Sequence, residues 1–128
     1  MKGIVITTDN KVEVQTFEEP LYQTIGKAVG GYIEVVHPKG LPEPFVMIVN
    51  EEGLLQQLPT NLLGCLLYAT DQHGIPIVGN IVLMKEGWTD EGPDIVGLDP
   101  EEITSFFEAM RELKILKGVH KNGNSETR

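Results

Sequence analysis

Five consecutive apolar residues, Phe45-Val46-Met47-Ile48-Val49, stand between Pro44 and the turn-forming run Asn50-Glu51-Glu52-Gly53. A run this short, bounded on both sides by residues that break regular structure, reads as a buried strand. It is the most apolar strand in the chain, so it is placed centrally in a sheet. Whatever else the chain forms must then cover and extend that sheet.

The neighbouring segments supply the parts. Ile4 to Thr8 and Val12 to Thr16 bracket an Asp9-Asn10 turn and read as a β-hairpin over the first 17 residues. Pro20 suits the start of a short helix, with Glu18 and Glu19 beside its positive end, and Leu21, Ile25, Ala28 and Val29 make one face. Gly30-Gly31 stops it, and Tyr32 to Val36 is a further strand. Asn61 is a candidate N-cap for a second helix with Leu62, Cys65, Leu66 and Ala69 as its buried face. Ile77 to Met84 is a strand with Gly79 as a bulge or a close backbone approach, and Gly87 to Gly97 is a loop. Asp99-Pro100-Glu101-Glu102 opens the last helix with an N-cap, a first-turn proline and a glutamate three residues on. Its apolar stripe is Ile103, Phe106, Phe107, Met110 and Leu113, with Lys114 and Lys117 at the negative end.

The predicted order is ββαββαβα, an α+β domain with a small mixed or antiparallel sheet and helices packed on one face. The expected division is a single domain over 1–118 and a flexible polar tail over 119–128. A chain of 128 residues that is 41% hydrophobic can bury a core of this kind without a disulfide, and its one cysteine excludes an internal one. No apolar stretch is long enough for a signal-peptide core or a membrane span, so the expected location is the cytoplasm. The net charge of −9 and the scattered lysines and arginines disfavour generic nucleic-acid binding. An acidic surface instead steers basic partners.

No catalytic constellation is visible. Cys65 lies in an apolar setting unsuited to a thiolate and is expected in the core. His37, His73 and His120 lack the companions that a zinc site needs, so neither metal nor cofactor is expected. Glu51, Glu52 and His73 could in principle do acid–base chemistry, but no convergent group accompanies them, and an enzyme is the least favoured reading. The favoured site is the Asn50-Glu51-Glu52-Gly53 turn at the end of a rigid strand, with Tyr32 and Glu34 nearby. Trp88, alone in an acidic segment, is a second candidate contact. Phe106, Phe107 and Met110 would serve a homodimer if they are not core.

Gly30-Gly31-Tyr32-Ile33-Glu34, the turn at 50–53, Leu58-Pro59 with Asn61, and Ile77-Val78-Gly79-Asn80 carry a resemblance. Over residues 3–84 the chain resembles a family of small proteins of unknown function carried by bacteriophages, plasmids and bacteria. The family's turn more often begins with aspartate where this chain has Asn50, which takes away a metal role at that position. The resemblance implies an accessory protein of a mobile element and no particular activity. The expected function is therefore a non-enzymatic binding protein that inhibits a host protein, with counter-defence as a possible setting. The alternative is a sponge for a nucleotide-like ligand near Tyr32, Glu34 and residues 50–53.

Overall fold

A computed structural model describes residues 1–112. Leu113, Lys114, Lys117, His120 and the tail over 119–128 lie outside the described residues. The chain divides into two compact units, Met1–Gly97 and the segment from Leu98 onward.

The first unit is an antiparallel sheet with three helices. Its elements are β1 (Lys2–Ile6), β2 (Val12–Thr16), α1 (Leu21–Val29), β3 (Ile33–Val36), β4 (Phe45–Asn50), α2 (Leu62–Tyr68), α3 (Thr70–His73), β5 (Ile81–Thr89) and β6 (Gly92–Val96). The strand order is β2-β1-β5-β4-β3, with β6 pairing the far half of β5. The second unit contains α4 (Pro100–Glu112). The class is α+β as expected, but the order is ββαββααββα, because one short helix and one strand were not anticipated.

The apolar run of β4 is interior, between β5 and β3, and β5 is the middle strand. Side chains alternate across a pleat. On one face Val5, Val46, Ile48, Val82 and Met84 form a core with Phe17, Ile25 and Val29. The face of α1 read from the sequence supplies that packing, since Leu21 and Ala28 also lie against the cluster. On the other face Ile4, Ile6, Met47, Ile81 and Leu83 are all fully buried. The core therefore has two sides, where helices on one face alone were expected.

Local chemistry explains the ends of the elements. Gly30 takes the left-handed conformation at φ 90° and closes α1 by donating its N–H to the Gly26 carbonyl at 2.8 Å. Asn61 caps α2 by accepting from the Gly64 N–H at 2.8 Å. Its Nδ2 donates to the carbonyls of Ile6 at 3.0 Å and Gly79 at 2.9 Å. Asn61 thus ties the helix start to the end of β1 and to the approach to β5.

That tether sets the rotation of α2, and the expected face is corrected. Leu63, Gly64 and Leu67 are buried, while Leu62 and Leu66 are exposed. Cys65 is half-buried, and its Sγ accepts the Ile77 N–H at 3.2 Å. Gly79 precedes β5 instead of bulging within it. Its φ is 77°, and a Cβ there would stand 2.8 Å from Leu58 Cδ1, so the close approach holds.

The expected loop over Gly87–Gly97 is a hairpin. Trp88 pairs with Pro93 and Glu86 with Ile95, so β5 runs five residues beyond the anticipated end at Met84. In α4 the glutamate of the capping signature acts as expected: Glu102 Oε1 accepts the Asp99 N–H at 2.7 Å. Phe106 and Met110 are its buried residues, and Phe106 stacks edge-on against Phe107 with centroids 5.6 Å apart. No helix among the described residues is long and apolar enough to cross a membrane.

Candidate functional site

The end of α1, the start of β3 and the end of β4 meet at one margin of the sheet, and two grooves open there. The first lies beside the C-terminal half of α1 and has a volume of about 710 Å³. Tyr22 and Tyr32 stand over it, 63% and 75% exposed, and Gly26, Gly30 and Gly31 form its floor. Side chains at Gly26 and Gly31 would crowd the protein's own atoms. A Cβ on Gly26 would meet the Gly31 carbonyl at 2.9 Å, and one on Gly31 would meet the Asn50 amide at 3.1 Å. Lys27 and Glu51 contribute the charges.

Tyr22, Gly26 and Gly30 follow at intervals of four residues, so one stripe of α1 faces the groove while Ile25 and Val29 face the core. This stripe is the signal that sequence reasoning passed over. An aromatic residue followed by two glycines at helical spacing leaves one side of the helix open beside an exposed ring.

The second groove is smaller, about 170 Å³, and lies on the opposite face of the same margin. Glu34, Val36, Val49, Leu54, Tyr68 and Ile75 line it. Glu34 pairs with Val49 across the β3–β4 ladder, which places it on the face away from α1. Ile33 pairs with Asn50 and shares the α1 face. Glu51 lines both grooves.

The anticipated residues thus separate into three roles. Tyr32, Glu34 and Glu51 line the grooves. Glu52 is exposed beside them, and its N–H donates to Asn50 Oδ1 at 2.8 Å. Asn50 is only 5% exposed, and its amide is engaged inside the protein. Its Nδ2 donates to the Val29 carbonyl and to Gln56 Oε1, each at 3.2 Å. Asn50 therefore holds the turn and the end of α1 together while also lining the second groove. Trp88 is 82% exposed on the β5–β6 hairpin and lines neither groove.

Other chemistry-bearing groups lie apart. His37 Nε2 stands 3.6 Å from Glu86 Oε1, both exposed. The Thr7 hydroxyl donates to Asp9 in the first hairpin turn and holds that carboxyl below its ordinary range. Among the described residues no group of three or more histidine, cysteine, aspartate or glutamate side chains is placed to hold a metal ion.

No curated protein and no solved structure matches the chain. A family model does, and it runs from residue 1 to residue 111. The shared region therefore extends through β5, β6 and most of α4, beyond the 3–84 span on which the resemblance was drawn. By that match the chain belongs to the family described as a domain of unknown function, DUF3846.

Proposed function

We propose that this chain is a non-enzymatic binding protein that docks a protein partner along the margin where α1, β3 and β4 meet. The observation that carries the reading is the pair of exposed tyrosines, Tyr22 and Tyr32, over an open groove with a glycine floor. Tyrosine presents a large amphipathic surface at small entropic cost, and such side chains dominate binding energies when a partner covers them. In water alone, two neighbouring tyrosines at this exposure bring the fold little. The net charge of −9 favours a basic partner. The resemblance to proteins of bacteriophages and plasmids adds that the partner is a bacterial host protein held inactive, with counter-defence as one setting.

A nucleotide-like ligand is the weaker reading. The groove is open, and among the described residues Lys27 is the one cation lining it, so a phosphate would find a single charged donor in a groove that Glu51 also lines.

The test is a comparative pull-down from bacterial lysate with the wild-type chain and the Tyr22→Ala/Tyr32→Ala double variant. Bound proteins and released small molecules are both identified. A protein retained by the wild type and lost from the variant is the expected result. A nucleotide released from the wild type alone would favour the sponge, and a partner held equally by both would move the site elsewhere.

A further inference from the structure

The two grooves flank a strand edge that nothing among the described residues covers. β3 is the last strand on its side of the sheet. The Glu51 N–H donates to the Tyr32 carbonyl at 2.8 Å. Antiparallel pairs alternate, so Glu34 and Val36 also turn their backbone groups toward β4. Ile33 and Val35 then turn theirs outward, and each offers one N–H and one C=O to an added strand. A strand laid along that edge would send alternate side chains to opposite faces, one set toward the tyrosine groove and the other toward Glu34 and its groove.

Charge decides what that strand is. Glu34, Glu51 and Glu52 are exposed along the margin, and none has an ion-pair partner among the described residues. A second copy of this chain fits poorly. The symmetric register that uses both Ile33 and Val35 sets Glu34 directly opposite its own copy, and like charges facing each other across a ladder are destabilising. A lysine or arginine at the same position would meet the carboxylate instead. The tyrosine groove on the other face takes apolar side chains, since tyrosine rings and backbone make most of its wall.

We infer that β3 receives an extended segment of a basic partner by strand addition, with a cationic side chain beside Glu34 and apolar side chains on the Tyr22–Tyr32 side. This rests on the binding reading above and deepens it by naming the mode and the chemistry of the occupant.

The probe is a short capped peptide of alternating valine and lysine, titrated into the full chain and followed by amide hydrogen exchange. Binding should slow exchange at Ile33 and Val35. The same peptide N-methylated at alternate residues should lose binding, because strand addition needs its N–H groups. Glutamate in place of lysine should do the same. Glu34→Gln, an exposed substitution, should weaken the lysine peptide by about three- to tenfold and flatten its salt dependence. Binding that leaves Ile33 and Val35 unprotected and tolerates N-methylation would overturn strand addition while leaving the groove as a docking site. Protection along β2, the opposite edge, with no response to Tyr22→Ala/Tyr32→Ala would overturn both. A peptide that does not bind even at low salt overturns the strand-addition mode, and the groove then stands or falls on the pull-down.

Discussion

Asn50, at the end of β4, donates its side-chain amide to the main-chain carbonyl of Val29 in the last turn of α1. Twenty-one residues separate them in sequence, and this buried bond joins the two elements whose meeting makes the candidate site. The same side chain accepts the Glu52 N–H and so shapes the turn that carries Glu51. The candidate contact residues Tyr32, Glu34, Glu51 and Glu52 are exposed, and a buried amide behind the turn fixes its backbone.

Asn50→Ala should therefore act on stability first. It removes two donors and one acceptor and leaves the Val29 carbonyl in the interior without that partner. A loss of about 1–3 kcal/mol is expected. Urea denaturation measures it, and an unchanged midpoint would contradict the role given to this amide.

Asn61→Ala should cost more. Its side chain is fully buried, caps α2 and satisfies the carbonyls of Ile6 and Gly79 together. Cap loss and two stranded carbonyls amount to about 2–4 kcal/mol. The comparison with Asn50→Ala under identical conditions is the measurement, and the reverse ranking would count against it.

These two asparagines also mark where sequence reasoning reached and where it stopped. Asn61 was legible as a cap because capping is local: the residue sits directly before an apolar run. The phase of that run was not legible. Leu62-Leu63-Gly64-Cys65-Leu66-Leu67 is apolar nearly all round, and the tether from Asn61 to Ile6 and Gly79 selects which side is buried. Asn50 read as an exposed turn residue for the same reason of range, since Val29 and Gln56 become its partners only on folding. The β5–β6 hairpin was hidden by Gly87, Gly92 and Pro93, which look like loop composition. Pro93 is tolerable because β6 pairs on one side only, with β5. The first hairpin, α1 with its glycine stop, and the opening of α4 were all readable, since their signals lie within a few residues.

Asp99→Ala should lower the stability of α4 by about 1 kcal/mol, the usual cost of a lost N-cap residue. Glu102→Ala should cost less, since it removes the acceptor of the Asp99 N–H at an exposed position where water can substitute. Thermal melts of both variants test the ranking. Equal stability of wild type and Asp99→Ala would remove the capping assignment.

Cys65 should react slowly with a thiol reagent in the native protein, at least about tenfold slower than after unfolding, because its half-buried sulfur is engaged by the Ile77 N–H. Native and denatured labelling rates, read by mass spectrometry, decide it. Equal rates would mean that this sulfur is open to solvent and would return it to the list of reactive groups.

Glu51→Ala combined with Glu52→Ala should separate binding from folding. Both side chains are exposed, and the contact that Glu52 makes with Asn50 comes from its backbone N–H, which alanine keeps. Exposed turn substitutions of this kind stay within about 0.5 kcal/mol, so the denaturation midpoint should barely move. Partner binding should respond differently. Glu51 lines both grooves, and on the rim of an interface a carboxylate acts mainly through the rate of encounter with a cationic partner. The double variant should associate more slowly than wild type at low salt. The difference should shrink as ionic strength rises and screening shortens the reach of the charges. The dissociation rate should change less, because the tyrosines and the backbone edge hold the complex once formed. Surface plasmon resonance across a salt series, against the partner found in the pull-down, reads both rates. A faster dissociation with an unchanged association rate would make Glu51 or Glu52 a buried contact. Wild-type rates at every salt concentration would exclude the 50–53 turn from the interface and direct attention to Trp88 on the β5–β6 hairpin.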